Sequence, residues 1–225
     1  MQGYYSQKLS AERLRLCYEI APPRVKRYLE AEIEFLLERI KPSDLVLELG
    51  CGYGRVLQKL VEKTKTVVGI DTSYASLNLA REIFYRTPSC HLFAMDAVEL
   101  GFIDRQFDVV ICIQNGISAF KADQQKLIEE AMRVTRSDGK VIFSSYSERF
   151  WEDRLEWFRL QSEHGLIGEI DDDATGDGVI VCKDGFRAST VSPDDFISLT
   201  SGFDIEPIII TEVDSSSIFC EIQVK

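Results

Sequence analysis

The fold is decided by one stretch of the chain, Leu45-Val46-Leu47-Glu48-Leu49-Gly50-Cys51-Gly52-Tyr53-Gly54. An apolar run of strand length leads directly into a turn with alternating glycines, and a helical pattern over residues 55–63 follows. Glycine tolerates positive φ angles and lets a ligand approach the backbone closely. A turn that serves only the fold would explain one such glycine better than several. The stretch therefore predicts a buried strand that ends at a ligand-binding turn.

Apolar runs of strand length alternate with helical patterns along the rest of the chain. The strand candidates are residues 45–49, 67–70, 91–95, 108–113 and 140–144, and the helical candidates between them are residues 55–63, 74–86 and 123–135. This alternation predicts an α/β fold with a parallel, doubly wound sheet. His91 begins one of the predicted core strands, and we expect it to be structural.

Further helices and strands flank this pattern. Apolar residues at helical spacing predict helices over residues 11–20 and 24–40, and a cap followed by proline predicts a helix that starts at Ser192. Two long runs at residues 203–211 and 217–224 predict antiparallel neighbours joined by a short turn. Within the helix at residues 24–40, Arg24, Lys26 and Arg27 alternate with Glu30, Glu32 and Glu34, a pattern typical of a solvated helix face.

Composition and charge exclude several classes of function. Against 26 basic side chains stand 37 acidic ones, and the net charge of -11 disfavours nucleic acid as a partner. The six cysteines lack a Cys-x-x-Cys pair, which favours a reducing compartment. No signal-peptide core or membrane-spanning apolar stretch is present, so we expect a soluble, cytoplasmic protein without a membrane partner. The acidic residues 171–177 lack a full calcium-ligand pattern, and we expect no metal.

Carboxylates follow two neighbouring predicted strands. Asp71 and Asp96 each close a strand, and an acid about 20 residues beyond a glycine turn is placed to accept hydrogen bonds from ribose hydroxyls. Taken alone, either aspartate could equally be a helix cap. The dinucleotide fingerprint requires a third glycine where Arg55 stands, which disfavours a nicotinamide cofactor. Glu48 adds a negative charge before the turn, which suits a cationic ligand.

These motifs together resemble the class I S-adenosylmethionine-dependent methyltransferases of the small-molecule type. Residues 48–54 resemble the family's first motif, residues 107–113 with the following Gln114-Asn115-Gly116-Ile117-Ser118 resemble its fourth strand and loop, and residues 139–143 resemble its fifth strand. The resemblance implies that Glu48 orients the methionine end, Asp71 holds the ribose and Asp96 with Ala97 recognises adenine. The cofactor-binding residues implied are Glu48, Gly50, Cys51, Gly52, Gly54, Asp71, Thr72, Asp96, Ala97 and Gln114.

The same resemblance implies the architecture. It is a Rossmann-like, seven-stranded, mostly parallel sheet of order 3-2-1-4-5-7-6 with an antiparallel last strand. We expect a single methyltransferase domain over residues 1–225, with an N-terminal helical cap at residues 1–40 and an insert or lid at residues 147–201.

On the acceptor side, methyl transfer is a direct displacement in which alignment of the reactants contributes most, so a general base is optional. The catalytic candidates are Asn115 and Tyr18. The substrate-binding candidates are Tyr4, Tyr5, Ser118, Tyr146, Trp151 and Arg187. The chain has no Asn-Pro-Pro-Tyr sequence after the fourth strand, which argues against methylation of the amino groups of adenine or glutamine. It also has no Pro-Cys pair, which argues against methylation of cytosine through a covalent cysteine.

The expected reaction is transfer of methyl from S-adenosyl-L-methionine to a small molecule, with an amine as the favoured acceptor and S-adenosyl-L-homocysteine as the product. We expect a monomer or a homodimer. The alternatives are a methyltransferase acting on protein or RNA, a cofactor-binding module without catalysis, and a nicotinamide oxidoreductase.

Overall fold

The computed structural model describes Tyr4 and residues 8–225. Its strands are β1 (Leu45–Leu49), β2 (Thr66–Asp71), β3 (Cys90–Ala94), β4 (Phe107–Cys112), β5 (Thr135–Tyr146), β6 (Ile180–Val181), β7 (Arg187–Ala188), β8 (Ile209–Val213) and β9 (Ser217–Gln223). The α-helices are α1 (Glu12–Glu19), α2 (Pro23–Leu37), α3 (Leu57–Lys63), α4 (Tyr74–Ile83), α5 (Gly116–Ala119), α6 (Gln124–Val134), α7 (Trp151–Glu163) and α8 (Pro193–Thr200).

The described residues form a seven-stranded sheet of order β3-β2-β1-β4-β5-β9-β8. The first five strands in chain order are parallel, and β9 is antiparallel to both β5 and β8. Strands β8 and β9 are the sixth and seventh of this sheet, because β6 and β7 form a separate two-stranded sheet. The predicted order 3-2-1-4-5-7-6 with an antiparallel last strand is therefore confirmed.

Two apolar clusters cover the two faces of the sheet, and a third lies beside its carboxyl edge. Leu127 of α6 and Phe196 of α8 pack on one face, and Leu36 of α2 and Leu57 of α3 pack on the other. The third cluster joins the N-terminal helices to α7 and the small β6–β7 sheet. Because Phe196 packs on the main sheet, α8 differs in position from the rest of the predicted insert at residues 147–201.

The helix at Pro193–Thr200 begins as the sequence predicts. Ser192 and Asp195 form a reciprocal capping box, with proline in the first turn. The final hairpin is also present, but β8 begins only at Ile209, so the strand predicted from residue 203 is wrong over its first half. Pro207 explains the difference, because it has no N–H to donate to a strand ladder.

Two expectations about side-chain environment are wrong. His91 is exposed, because β3 is an edge strand of the sheet and all of its residues are exposed or only partly buried. Glu32 is fully buried, because this side of α2 packs against β5 and β9 instead of water. In the part of the chain that the structure describes, no helix combines the length and apolar character needed to span a bilayer.

Candidate active site

A cavity of about 400 Å³ lies at the carboxyl edge of the sheet. Its floor is formed by the residues that follow β1, β2, β3 and β4, and its opposite wall by α1, α2 and α7. Volumes in this range are typical of sites for small molecules and cofactors. The cavity therefore lies where ligands bind in open α/β sheets.

The glycine turn after β1 is fixed by its neighbours on both sides. Gly50 and Gly54 have φ values of 73° and 87°, and a Cβ atom on either would overlap an aromatic ring, that of Phe120 or Phe84 respectively. The Gly52 N–H donates to Asp71 Oδ2 at 2.9 Å. Both the backbone angles and the close ring contacts thus require glycine at positions 50 and 54.

Asp71 stands at the tip of β2 and links the glycine turn to the next loop. Besides the Gly52 amide, it accepts the N–H of Ser73 at 2.7 Å. Burial raises the pKa of Asp71, and these backbone amides oppose that effect. Each carboxylate oxygen keeps a further lone pair, so Asp71 is oriented by the backbone and can still accept hydrogen bonds from a ligand.

Asp96 and Ala97 lie on the same cavity wall, directly after β3. Asp96 is exposed and accepts the Val98 N–H at 3.1 Å, whereas Ala97 is buried. Thr72 and Met95 also line the cavity. The structure therefore brings together the residues predicted at the ends of β2 and β3.

Glu48 and Arg55 are an acidic and a basic side chain that line the same cavity. Glu48 is 5% exposed and its Oε2 has no hydrogen-bond partner. Burial raises the pKa of Glu48 to about 8, although the Arg55 guanidinium opposes the rise. Arg55 stacks over the Tyr18 ring at 4.7 Å, and its Nε and Nη2 are buried without hydrogen-bond partners. From the sequence alone, Arg55 is only the residue that stands where the dinucleotide fingerprint has its third glycine.

The buried carboxyl group of Glu32 accepts a hydrogen bond from the backbone of the loop after β4. Gln114 and Asn115 have φ values of 58° and 61°, an unusual pair of left-handed residues. The Gln114 N–H donates to Glu32 Oε2 at 3.0 Å and to Ser144 Oγ at 2.8 Å. Burial raises the pKa of Glu32 to about 7, against the lowering effect of the Ser144 and Ser217 hydroxyls. Sequence reasoning missed Glu32.

Asn115 makes its hydrogen bonds away from the cavity. Its Nδ2 donates to the Ser189 carbonyl at 2.9 Å, and its Oδ1 accepts the Ser145 hydroxyl at 2.9 Å. Ser145 Oγ in turn accepts the Val191 N–H at 2.8 Å. Asn115 thus connects the loop after β4 to the segment ahead of α8, and its contact with an acceptor stays a prediction.

Aromatic side chains form the wall opposite the glycine turn. The ring centroids of Tyr18 and Trp157 are 6.1 Å apart, and those of Tyr28 and Tyr146 are 5.5 Å apart. Burial raises the pKa of Tyr18 and Tyr146, which keeps their hydroxyls neutral at physiological pH. The Arg154 guanidinium lies 4.4 Å from the Tyr146 ring centroid. The candidates Tyr18 and Tyr146 therefore line the cavity, and their roles there stay predictions. Tyr28 and Trp157, which the sequence did not indicate, line it as well.

Several candidates do not line this cavity. They are Tyr4, Gly54, Asn115, Ser118, Trp151 and Arg187. The Tyr4 hydroxyl donates to Asp184 at 2.6 Å, and Arg187 is exposed on β7. Tyr5 lies outside the described residues. Within Tyr4 and residues 8–225, no group of three or more histidine, cysteine or acidic side chains is arranged to hold a metal ion.

Comparison with known proteins matches residues 46–139 to the family model described as a methyltransferase domain. A curated relative, 2-methyl-6-phytyl-1,4-hydroquinone methyltransferase from Synechocystis sp., is 27% identical over 150 residues, which cover 58% of this chain and 46% of the relative. The chain spans about half the length of the curated relatives it matches.

Solved structures share the fold over almost the whole chain. The PH0226 protein from Pyrococcus horikoshii OT3 has a TM-score of 0.68 at 23% identity, with 96% of this chain and 99% of that chain covered. The N-methyltransferase NodS from Bradyrhizobium japonicum WM9, solved in complex with S-adenosyl-L-homocysteine, has a TM-score of 0.60 at 14% identity, with 97% and 99% covered. The chain therefore has a Rossmann-like fold.

Proposed function

We propose that this chain transfers a methyl group from S-adenosyl-L-methionine to a small-molecule acceptor, and the match of residues 46–139 to the family model described as a methyltransferase domain supports this proposal. The observation that carries the proposal is the single cavity into which the glycine turn, Glu48, Asp71 and Asp96 converge. These groups lie on three successive strand ends, so the cavity offers separate polar contacts along an elongated ligand.

The residues present fit this cofactor. Asp71, held by two backbone amides, would accept hydrogen bonds from the ribose hydroxyls, and Asp96 with the Ala97 amide would hold the adenine. Glu48 Oε2 lacks a partner and is suited to the ammonium group of the methionine end. The bound cofactor would supply an electrophilic methyl group on a positively charged sulfur.

The chain itself would align the acceptor and exclude water. In a direct displacement, alignment can contribute about 7 to 11 kcal/mol to lowering the barrier. The tyrosine hydroxyls of the cavity are neutral at physiological pH, so Tyr18 would act there as a hydrogen-bonding group instead of a proton acceptor. Asn115 would act on the acceptor side only indirectly, by fixing the position of the loop after β4.

For the acceptor, we favour a small phenolic compound over the amine expected from the sequence. An amine could be bound by cation–π contacts with aromatic side chains of the cavity. Two of those rings, Tyr18 and Tyr146, already carry the guanidinium groups of Arg55 and Arg154. The curated relative described above is named for methylation of a hydroquinone, which supports a phenolic ring as the acceptor.

We further propose that the cap at residues 1–40 and the insert close over the cavity within one domain. Tyr18 and Tyr28 of the cap and Trp157 of the insert line it, which supports this arrangement. Because α8 packs on the main sheet, the closing part of the insert would be residues 147–191. All six cysteines are free thiols, which fits work in the reducing cytoplasm.

The test is a screen for S-adenosyl-L-homocysteine release in the presence of hydroquinones, simple phenols and primary amines. We expect turnover with at least one phenolic compound, strongly reduced in Asp71→Ala and unchanged in the exposed control Asp173→Ala. Turnover with amines alone would overturn the phenolic assignment. Saturable cofactor binding without turnover on any acceptor would instead favour a module that binds the cofactor without catalysis.

A further inference from the structure

Tyr28 and Glu32 are two buried polar side chains that stand one helical turn apart on α2. Residues four positions apart lie on the same face of a helix. Both side chains are fully buried, and the Tyr28 hydroxyl and Glu32 Oε1 each have no hydrogen-bond partner among the described residues. Tyr28 lines the cavity, whereas Glu32 reaches it only through the Gln114 N–H that it accepts. Buried polar atoms without partners are rare in native proteins, so this pair calls for a role.

The Tyr28 ring is enclosed by other aromatic rings. Its centroid lies 4.9 Å from that of Phe150 and 5.5 Å from that of Tyr146. Burial raises the pKa of Tyr28 well above its ordinary value, so its hydroxyl is neutral at physiological pH. A neutral hydroxyl is both a donor and an acceptor, and it can take up one proton while it gives up another. The unused capacity of Tyr28 is therefore that of a group that passes a proton on.

Glu32 has the properties of a proton acceptor behind Tyr28. Its Oε2 accepts the Gln114 N–H, which leaves Oε1 for a second contact. Burial raises the pKa of Glu32 to about 7, so the carboxyl can change its protonation state near neutral pH. The groups that act on Glu32 from the surrounding elements are Tyr18 on α1, Tyr28 on α2, Arg55 after β1, Cys112 on β4, Ser144 and Tyr146 on β5, and Ser217 on β9.

We propose that Tyr28 and Glu32 form a proton path that leads away from the acceptor, in which Tyr28 contacts the phenolic hydroxyl and Glu32 receives the proton. The proposal rests on the proposed function, because the proton comes from a phenolic acceptor. Tyr28 is the catalytic residue of the pair, and Glu32 acts through it. The same glutamate thereby fixes the loop at Gln114 with one oxygen and accepts the proton with the other.

The proton and the methyl group move in opposite directions. As the acceptor oxygen forms its bond to the methyl carbon, the bond between methyl and sulfur breaks, and its electron pair stays on sulfur. The phenolic O–H bond breaks and its proton passes to the Tyr28 oxygen, while the proton of Tyr28 passes to Glu32 Oε1. Tyr28 is unchanged at the end, and Glu32 is a neutral carboxylic acid. The Tyr28 hydroxyl and Oε1 do not hydrogen-bond to each other here, and catalytic hydrogen bonds often form only when the substrate is bound.

The experiment measures kcat/KM from pH 6 to pH 9 with a hydroquinone or simple phenol that wild type methylates. The variants are Glu32→Gln, which keeps an oxygen for the Gln114 N–H but does not take up a proton, and Tyr28→Phe, which keeps the ring. The matched controls are Glu34→Gln at an exposed position of α2 and Tyr85→Phe at an exposed position beyond α4. Titration of S-adenosyl-L-homocysteine into each variant reports whether the cofactor side of the cavity is intact.

For wild type we expect kcat/KM to rise with pH and to level off above about pH 7, because Glu32 must be ionised to receive the proton. In Glu32→Gln and Tyr28→Phe this rise near pH 7 should be lost, and kcat/KM at pH 8 should fall by roughly 100-fold. The remaining rate should keep rising towards pH 9 as the acceptor itself ionises in solution. Both variants should bind S-adenosyl-L-homocysteine as wild type does, and both controls should keep the wild-type profile.

A wild-type pH profile in Glu32→Gln would overturn the proposal, as would equal losses of turnover and cofactor affinity without a change of profile. Tyr28→Phe is a second, independent test if Glu32→Gln does not fold, since an unchanged profile in that variant would also overturn the path. Wild type that binds S-adenosyl-L-homocysteine but methylates no phenol would instead overturn the phenolic assignment of the proposed function, and the proton path with it.

Discussion

Replacing Glu48 by Gln should remove much of the pH dependence of this protein's stability. Burial raises the pKa of Glu48 from 4.5 to about 8, so between pH 6 and pH 8 the folded protein holds a proton that the unfolded chain has released. A group that is more protonated in the folded state makes the free energy of unfolding fall as the pH rises. The decline is spread between about pH 4.5 and pH 8, and is absent above and below this window.

The magnitude follows from the number of protons involved. From pH 6 to pH 8 the folded carboxyl binds on average nearly one proton more than the unfolded one, and each pH unit then contributes about 1.4 kcal/mol. Allowing for the partial ionisation near pH 8, Glu48 alone should lower the free energy of unfolding by about 2 kcal/mol across this interval. For a domain of this size, this corresponds to a fall of roughly 4 to 8 °C in Tm.

The assay is urea unfolding at pH 6, 7 and 8 for wild type, Glu48→Gln and a control. Gln keeps the size of the side chain but does not titrate, so the decline between pH 6 and pH 8 should be smaller in Glu48→Gln by about 2 kcal/mol. Glu62→Gln makes the same chemical change at an exposed position on α3 and should leave the decline as in wild type. Parallel curves for wild type and Glu48→Gln would show that Glu48 is ionised in the folded protein, and would refute the reasoning.

Substitutions at three further positions test the site. Asp71→Ala should weaken S-adenosyl-L-homocysteine binding at least tenfold in titration calorimetry, because both the proposed ribose contact and the anchor of the Gly52 amide are lost; unchanged affinity would refute the ribose assignment. Glu32→Ala should weaken the same binding severalfold by releasing the loop at Gln114, and Glu32→Gln, which keeps an acceptor oxygen, should restore it; equal damage from both would contradict the positioning role. Asn115→Ala should lower turnover more than cofactor affinity, because Asn115 fixes the loop after β4, and equal losses in both would argue against a role of this loop on the acceptor side.

The fold was predictable because its signals are local and repeated. The apolar run before Gly50 and the alternation of strands and helices are properties of short segments, and they fix a parallel sheet almost independently of side-chain detail. The carboxylates at the ends of β2 and β3 follow from the same logic, since parallel strands bring their carboxyl ends to one edge. The strand order came from the resemblance, because periodicity does not specify which strands are neighbours.

The opposite wall of the cavity was less predictable, because it depends on how the cap and insert pack. Glu32 has the local pattern of a solvated position, yet the contact of α2 with the sheet buries it beneath Gln114. Arg187 and Trp151 were plausible pocket residues by residue type. The insert packs so that Trp157 lines the cavity and these two residues do not. A mid-helix glutamate on the apolar side of α2 was the one signal that could have identified Glu32 from sequence.

Whether the cavity between the glycine turn and the cap holds an adenosyl sulfonium compound can be measured by equilibrium titration of S-adenosyl-L-methionine and S-adenosyl-L-homocysteine into the purified protein. We expect saturable binding at one site per chain for both compounds. No saturable binding of either compound, in protein that unfolds cooperatively and is therefore folded, would contradict it.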